Sequence, residues 1–287
     1  MGIDRVYERL AVMLRMMVVA LAIATVAAPS LASPTDIILS GPAVQGGILT
    51  GMAPSGTVEM RLDDQPVPIG ADGRFLIGFD CDALPQARLT ARFADGRTTD
   101  RSIAVSPGSW RIERVNAPLR AGRSSEAFLA LRRPELEQIA AARAKVTGAQ
   151  GWRQAFLWPR IGRISGLFGS QRIYQGVPGS YHGGIDIAGA TGEPVVAPAD
   201  GVVILAADRP FTLEGRLLMI DHGHGLSSAF LHLSRIDVKL GDAVVRGQRI
   251  GAVGATGRAT GPHLHWGLRW NDARIDPLRL AGPMPAQ

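Results

Sequence analysis

The sequence predicts an all-β protein: a small β-sandwich, a short helical linker, and a larger β domain of barrel or sandwich type. Three observations carry that reading. Short apolar runs recur along most of the chain, with 35 glycines and 19 prolines among 287 residues to turn between them. Asp72-Gly73 and Asp95-Gly96 stand between such runs, and Asp-Gly is a strong hairpin marker. Apolar residues make up 46% of the chain, enough for well-formed cores, while helical periodicity is confined to one short segment after the signal region.

The N-terminus reads as an export signal. Residues 16–28 form an apolar run too short for a membrane span, preceded by Arg9 and Arg15 and followed by Ser30-Leu-Ala32, a small-x-small cleavage pattern. Residues 1–32 are therefore expected to be a signal peptide. Asp4 and Glu8 dilute its positive charge, so a start at Met13 gives the more typical form. An uncleaved inner-membrane anchor is the alternative. Either places the protein in the periplasm or cell envelope, with this segment as its only membrane contact.

Residues 35–106 alternate in short runs at 57–62, 75–79, 87–93 and 101–105, which predicts a small sandwich of immunoglobulin-like type. Residues 107–150 are expected to be a linker. Pro134 opens a helix over about 134–146, with acidic residues in its first turn and Thr147-Gly148 at its end. Leu136, Ile139, Ala140 and Arg143 share one of its faces at that spacing. Trp152 and Trp158, expected to be packing residues, lead into residues 151–280. There the runs at 194–197, 201–205, 217–220, 226–232, 243–245, 249–253 and 263–269 are separated by glycine turns. Their regular spacing favours an all-β domain over βαβ units.

The net charge of +6 rests almost wholly on arginine, since Lys145 and Lys239 are the only lysines. Arginine pairs bidentately with carboxylates and phosphates, although a general compositional bias toward Arg, Ala and Gly explains the excess as well. Basic residues are spread along the chain without a block or aromatic interleaving, which argues against nucleic acid as a partner. The single cysteine, Cys81, excludes an intramolecular disulfide and reads as a small buried hydrophobe.

All six histidines lie between His182 and His265. His182-Gly-Gly-Ile-Asp186 and His263-Leu-His265, with His232 between them, have the spacing of a metal site. Residues two or four apart on an extended strand point to one face, and imidazole nitrogens and carboxylate oxygens are zinc ligands. His222 and His224, flanked by glycines, read as turn residues. There is no His-Glu-x-x-His segment, so a helical zinc-protease design is excluded.

Residues from about 158 to 276 resemble the lysostaphin/LytM-type zinc metallopeptidases, which hydrolyse peptide bonds in bacterial peptidoglycan. The resemblance is carried by His182 and Asp186 in HxxxD, by Ala-Pro-Ala-Asp-Gly201, by the Leu-His232-Leu segment, and by Thr256-Gly-Arg-Ala-Thr-Gly-Pro-His-Leu-His265. It implies the duplicated-hybrid-motif β fold and one Zn²⁺ per chain, bound by His182, Asp186 and His265. It also implies that His232 and His263 are an unliganded catalytic pair. Three protein ligands leave one zinc position for water, whose pKa falls to about 7 when so held. His232 and His263 suit base, acid or oxyanion-donor duty, and the sequence does not divide these tasks between them.

The expected function is therefore that of an exported zinc metalloendopeptidase acting on peptidoglycan stem peptides and crosslinks in cell-wall remodelling. The alternative is a non-catalytic peptidoglycan-binding or amidase-activating relative. Such proteins lack ligands or catalytic histidines, whereas this chain keeps all five positions. A lipoyl-type carrier is set aside because Lys239 precedes its strand rather than standing at a hairpin tip. Residues 35–150 show no chemistry of their own, and are expected to pack near the zinc groove and restrain access to it.

Overall fold

The computed structural model describes residues 36–117 and 125–285, so the signal segment lies outside the described residues. The N-terminal part consists of β1 (Ile38–Ser40), β2 (Ile48–Met52), β3 (Thr57–Leu62), β4 (Gln65–Pro66), β5 (Arg74–Gly78), β6 (Gln86–Phe93) and β7 (Thr98–Ala104). These strands make two antiparallel sheets, ordered β1-β2-β5 and β4-β3-β6-β7. The period-2 rule is visible in β6, where Ala87, Leu89, Ala91 and Phe93 are buried while Arg88 and Arg92 face water. Asp95-Gly96 turns β6 into β7 and Asp72-Gly73 lies in the turn that leads into β5, each with its glycine in the left-handed region.

The segment between this unit and the histidine-rich region is more than a spacer. β8 (Ile112–Val115) lies parallel to β10 (Gln171–Tyr174), which also pairs with β11 (Val177–Pro178). The helix α1 spans Glu126–Arg143, beginning well before Pro134. Ser125 caps it by accepting the Phe128 N–H at 3.1 Å. Pro134 sits inside, where its missing N–H leaves the Ala130 carbonyl without its helical donor.

Nor is the buried face the expected one. Glu135, Ile139 and Ala142 are buried, whereas Leu136 is 50% exposed. A buried glutamate is costly unless its charge is met, and here it is. Glu135 accepts the Thr212 N–H at 2.7 Å, the Thr212 hydroxyl at 2.6 Å and an Arg132 N–H at 3.0 Å. Arg132 also grips Glu214 bidentately at 2.6 and 2.7 Å.

The C-terminal region is built on one large antiparallel sheet. In chain order its strands are β9 (Ile164–Gly166), β12 (Ile185–Ala188), β14 (Gly201–Ala206), β15 (Arg216–Gly223), β16 (Leu226–Leu233), β18 (Ala243–Val244), β20 (His263–Trp270) and β21 (Ala273–Ile275). In space they run β18-β14-β15-β16-β20-β12-β9, with β21 beside β20. A small sheet of β13 (Pro194–Val196), β19 (Arg249–Ala252) and β17 (Arg235–Ile236) completes the strands. A short helix, α2 (Leu278–Ala281), follows.

The large sheet buries its two faces differently. Leu218 and Ile220 of β15 point into the main core, while Leu217 and Met219 meet Ile139 and Ala142 of α1 on the other side. The main core also runs without a break into the N-terminal sandwich. At that junction Gly78 lies against Trp270 and Ile275. A β-carbon there would stand 2.6 Å from Ile275 Cδ1, which could shift, and 2.9 Å from Trp270 Cβ, which has little room to, so glycine suits the close approach. Arg274 closes the same junction by donating to Asp80 at 2.9 Å and to Asp82 at 3.3 Å. Cys81 is buried beside it, and that burial pushes its thiol up to about 12, which makes it inert.

Candidate metal centre and active site

Strand register assembles the histidine cluster. β12 and β20 lie antiparallel with Asp186 opposite His265 and Ala188 opposite His263. On the other flank of β20, β16 places Leu231 opposite His265. Along β20, Leu264, Trp266 and Leu268 enter the main core, which leaves His263, His265, Gly267 and Arg269 on the opposite face. His182 precedes β12 and is clipped to the 167–170 turn: its N–H donates to the Ser170 carbonyl and its carbonyl accepts from Gly169, each at 2.9 Å.

Three acceptor atoms converge there. His182 Nδ1–H donates to the Leu167 carbonyl at 2.9 Å, so its Nε2 presents a lone pair. That Nε2 lies 3.2 Å from both Asp186 Oδ1 and His265 Nδ1, and His265 Nδ1 lies 2.8 Å from Asp186 Oδ1. A tetrahedral zinc with bonds of about 2.0–2.1 Å spaces its ligand atoms by roughly 3.3 Å. Acceptors held this close repel unless a proton or a cation sits among them. The donor set, two imidazoles and one carboxylate, therefore fits zinc. The other possible cation group among the described residues, Asp80, Cys81 and Asp82, is already met by Arg274.

Without a metal, the charges of the cluster pull in different directions. Burial works against the Asp186 charge, but hydrogen bonds from His182 and His265 outweigh it and hold the carboxyl far below the ordinary carboxylate range. His265 is pushed down by burial, against the pull of Asp186, which favours the neutral ring a metal needs. His182 is raised because its bond to Asp186 overcomes burial.

His232 and His263 stand beside the three, with ring centroids 4.8 Å apart. His263 Nε2 is 3.8 Å from Asp186 Oδ1, and the His232 ring is 6.3 Å from that of His265. Each donates Nδ1–H to a backbone carbonyl at 2.8 Å, His232 to Thr256 and His263 to Gly261. When neutral, each therefore keeps a free Nε2 lone pair. Burial lowers the proton affinity of His232 despite that bond.

His232 also has φ +64 within a strand, a left-handed conformation that costs a non-glycine residue about 1–3 kcal/mol. Its N–H leaves the sheet ladder and donates to the Glu214 carbonyl at 2.8 Å. This twist brings the ring to the same side as His265. The carbonyls of Leu167, Thr256 and Gly261 were not legible as orienting groups, because backbone acceptors leave no mark on residue type. Thr256 gives one faint signal in the Thr-Gly-Arg-Ala-Thr-Gly-Pro segment. Its hydroxyl accepts the Arg216 N–H at 2.8 Å and donates to the Leu233 carbonyl at 2.9 Å, fixing the loop against β15 and β16.

The remaining histidines are structural. His224 occupies a turn at φ +52 and stacks on Trp152 with centroids 4.1 Å apart. His222 is not a turn residue but a fully buried part of β15. It donates Nδ1–H to the Asp200 carbonyl and accepts the Ser228 hydroxyl at Nε2, both at 2.8 Å. Burial drives it down to about 4.

A histidine whose folded pKa is depressed contributes stability that is present above its unfolded pKa of about 6.5 and is lost as pH falls toward the folded value. Acidification from pH 7 to about 4 is therefore expected to remove about 3 kcal/mol through this residue. Denaturant titrations at pH 7 and 4.5 should show a smaller pH difference in His222→Gln than in the parent. Equal differences would reject the assignment. Tyr181 packs against the main core with Arg274 over its ring, and among the described residues no hydrogen bond joins either Tyr174 or Tyr181 to the cluster.

A β-sheet groove that gathers two imidazoles, a carboxylate and two further histidines defines a metallohydrolase-type centre. Residues 180–277 match the model of peptidase family M23. A crystal structure of a Pseudomonas aeruginosa protein assigned to that family superposes with a TM-score of 0.66 at 31% identity, covering 84% of this chain and 96% of that one. The chain belongs to peptidase family M23.

Among curated relatives it is 40% identical over 123 residues to peptidoglycan DD-endopeptidase ShyA of Vibrio cholerae, a match covering 42% of this chain and 28% of that protein. It is 41% identical over 104 residues to DD-carboxypeptidase/endopeptidase Mpg of Neisseria meningitidis, covering 36% of this chain and 24% of that protein. The matches thus span about a quarter of these relatives' length.

Proposed function

We propose that this chain is an exported zinc metalloendopeptidase that hydrolyses peptide crosslinks of bacterial peptidoglycan. The observation that carries the reading is the convergence of the His182, Asp186 and His265 donor atoms within 3.2 Å, with two more imidazoles alongside. His182, Asp186 and His265 would hold one zinc, whose chemistry is to polarise the scissile carbonyl and acidify water. His232 and His263 contribute proton transfer: their carbonyl-bound Nδ1–H groups fix the tautomer, so each free Nε2 can take a proton or, once protonated, donate one.

The DD-endopeptidase activity for which ShyA and Mpg are named supports a crosslink between D-amino acids as the bond cut. The test is mass spectrometry of purified peptidoglycan incubated with the zinc-loaded chain. Crosslinked muropeptides should fall and their uncrosslinked products rise, and a chelator should stop the change. Crosslinks left intact by zinc-loaded protein would sink the reading.

A further inference from the structure

The groove does not end at the metal site. Beyond His265 the same face of β20 presents Gly267 and then Arg269, and α1 lies across its end with Ile139 and Arg143. Together with Gly183 and Glu214 these residues line a cleft of about 160 Å³. Gly267 matters to its shape, because a β-carbon there would stand 3.2 Å from the Gly183 carbonyl and 3.7 Å from His265 Nε2. With glycine at that position the floor is clear from His265 to Arg269.

The charge in this cleft is unbalanced. Glu214, the carboxylate in its lining, has both oxygens taken by Arg132. Arg269 donates to the Asp272 backbone carbonyl at 2.8 Å and, among the described residues, pairs with no carboxylate. Arg143 has no hydrogen bond or ion pair among them either, although Asp272 and Glu214 are near enough to act on its charge. Partial burial and, after it, the charge of Arg269 lower the Arg143 guanidinium to about 10. Asp272 acts on both guanidinium groups and Asp80 on that of Arg269, but among the described residues neither arginine forms an ion pair, so two planar forks facing one cleft keep donors for an added carboxylate.

We propose that Arg143 and Arg269 form a carboxylate subsite of the groove, which holds a free carboxylate of the substrate peptide a few residues from the cleaved bond. Arg269 lies four residue steps beyond His265, about 13 Å at the rise of a β-strand. An extended peptide covers that distance in roughly four residues, fewer if the arginine side chains reach inward. The inference rests on the hydrolase reading for the identity of the peptide, since peptidoglycan stems carry several free carboxylates. It assigns α1 a part in recognition as well as in covering the sheet.

The test separates binding from cleavage. The zinc-loaded His263→Ala chain is titrated calorimetrically with a crosslinked stem-peptide dimer, and with the same dimer amidated at its free carboxylates. The acid form should bind at least about tenfold more tightly, as expected for charge-assisted hydrogen bonds. Arg143→Gln and Arg269→Gln, each in that background, should reduce the preference, and together bring it close to one. Arg143 lies on the helix surface, so its variant reports even where Arg269→Gln perturbs β20. Equal affinity for acid and amide in the parent would overturn the subsite, as would a preference that survives both substitutions. Failure of the wild-type chain to cut any crosslink would count against the hydrolase reading alone, because the acid preference is read without turnover.

Discussion

Replacing His265 with alanine is expected to abolish tight zinc binding. His265 Nδ1 lies within 3.2 Å of both other donor atoms, so its loss leaves a two-ligand site. Removing even an outer-shell partner typically weakens metal affinity 10–100-fold, so losing a ligand should exceed roughly a hundredfold. His182→Ala and Asp186→Ala should behave alike, and Asp186→Ala should hurt most at neutral pH because it removes the only negative charge of the three. Zinc content by elemental analysis and affinity by competition with a chromophoric chelator measure the effect. Full zinc occupancy with native affinity in His265→Ala would refute the ligand assignment.

His263→Ala and His232→Ala are expected to retain zinc but lose most turnover. General acid–base catalysis contributes about 10²–10⁴-fold, and the drop should appear in kcat rather than in metal content. The two variants should differ in stability. His232→Ala leaves the left-handed backbone at φ +64 in place and deprives the Thr256 carbonyl of the imidazole N–H it accepts. His232→Gly should relieve that strain and be the more stable of the two substitutions at this position. Stopped assays on peptidoglycan fragments, beside zinc analysis of the same samples, separate catalysis from binding. A near-native rate in either alanine variant with full zinc would remove that histidine from the mechanism.

That His182, Asp186, His263 and His265 would come together was legible from their spacing in sequence, whereas His232 was marked only by the family resemblance. His263 and His265 share a strand face, and the β12–β20 register then sets Asp186 directly opposite His265. His182 was legible only by its distance from Asp186, since it belongs to the turn before β12 and is held there by Ser170 and Gly169. The β-runs of the histidine-rich region correspond closely to observed strands, because alternating burial is a local property.

What escaped was tertiary. The burial of Glu135 depends on Thr212 and Arg132, so helix periodicity placed Leu136 inward when it faces water. Pro134 read as a helix start because proline suits a first turn, while the real start depends on the Ser125 cap. His222 looked like a turn residue because its glycine neighbours are visible in the sequence and its partner Ser228, six residues away across a strand pair, is not.

The parallel pairing of β8 with β10 bears on how this protein can be divided. A chain cut at residue 150 would lose the strand that satisfies one edge of Gln171–Tyr174. It would also lose the Trp110 ring set edge-on to Phe168 and the Gly78 surface on which Trp270 and Ile275 rest. The C-terminal fragment would then carry newly bared apolar surface and an open sheet edge, both of which favour self-association. Low activity in such a fragment would report damage to the scaffold, so the roles of the N-terminal half are better read from point substitutions in the intact chain.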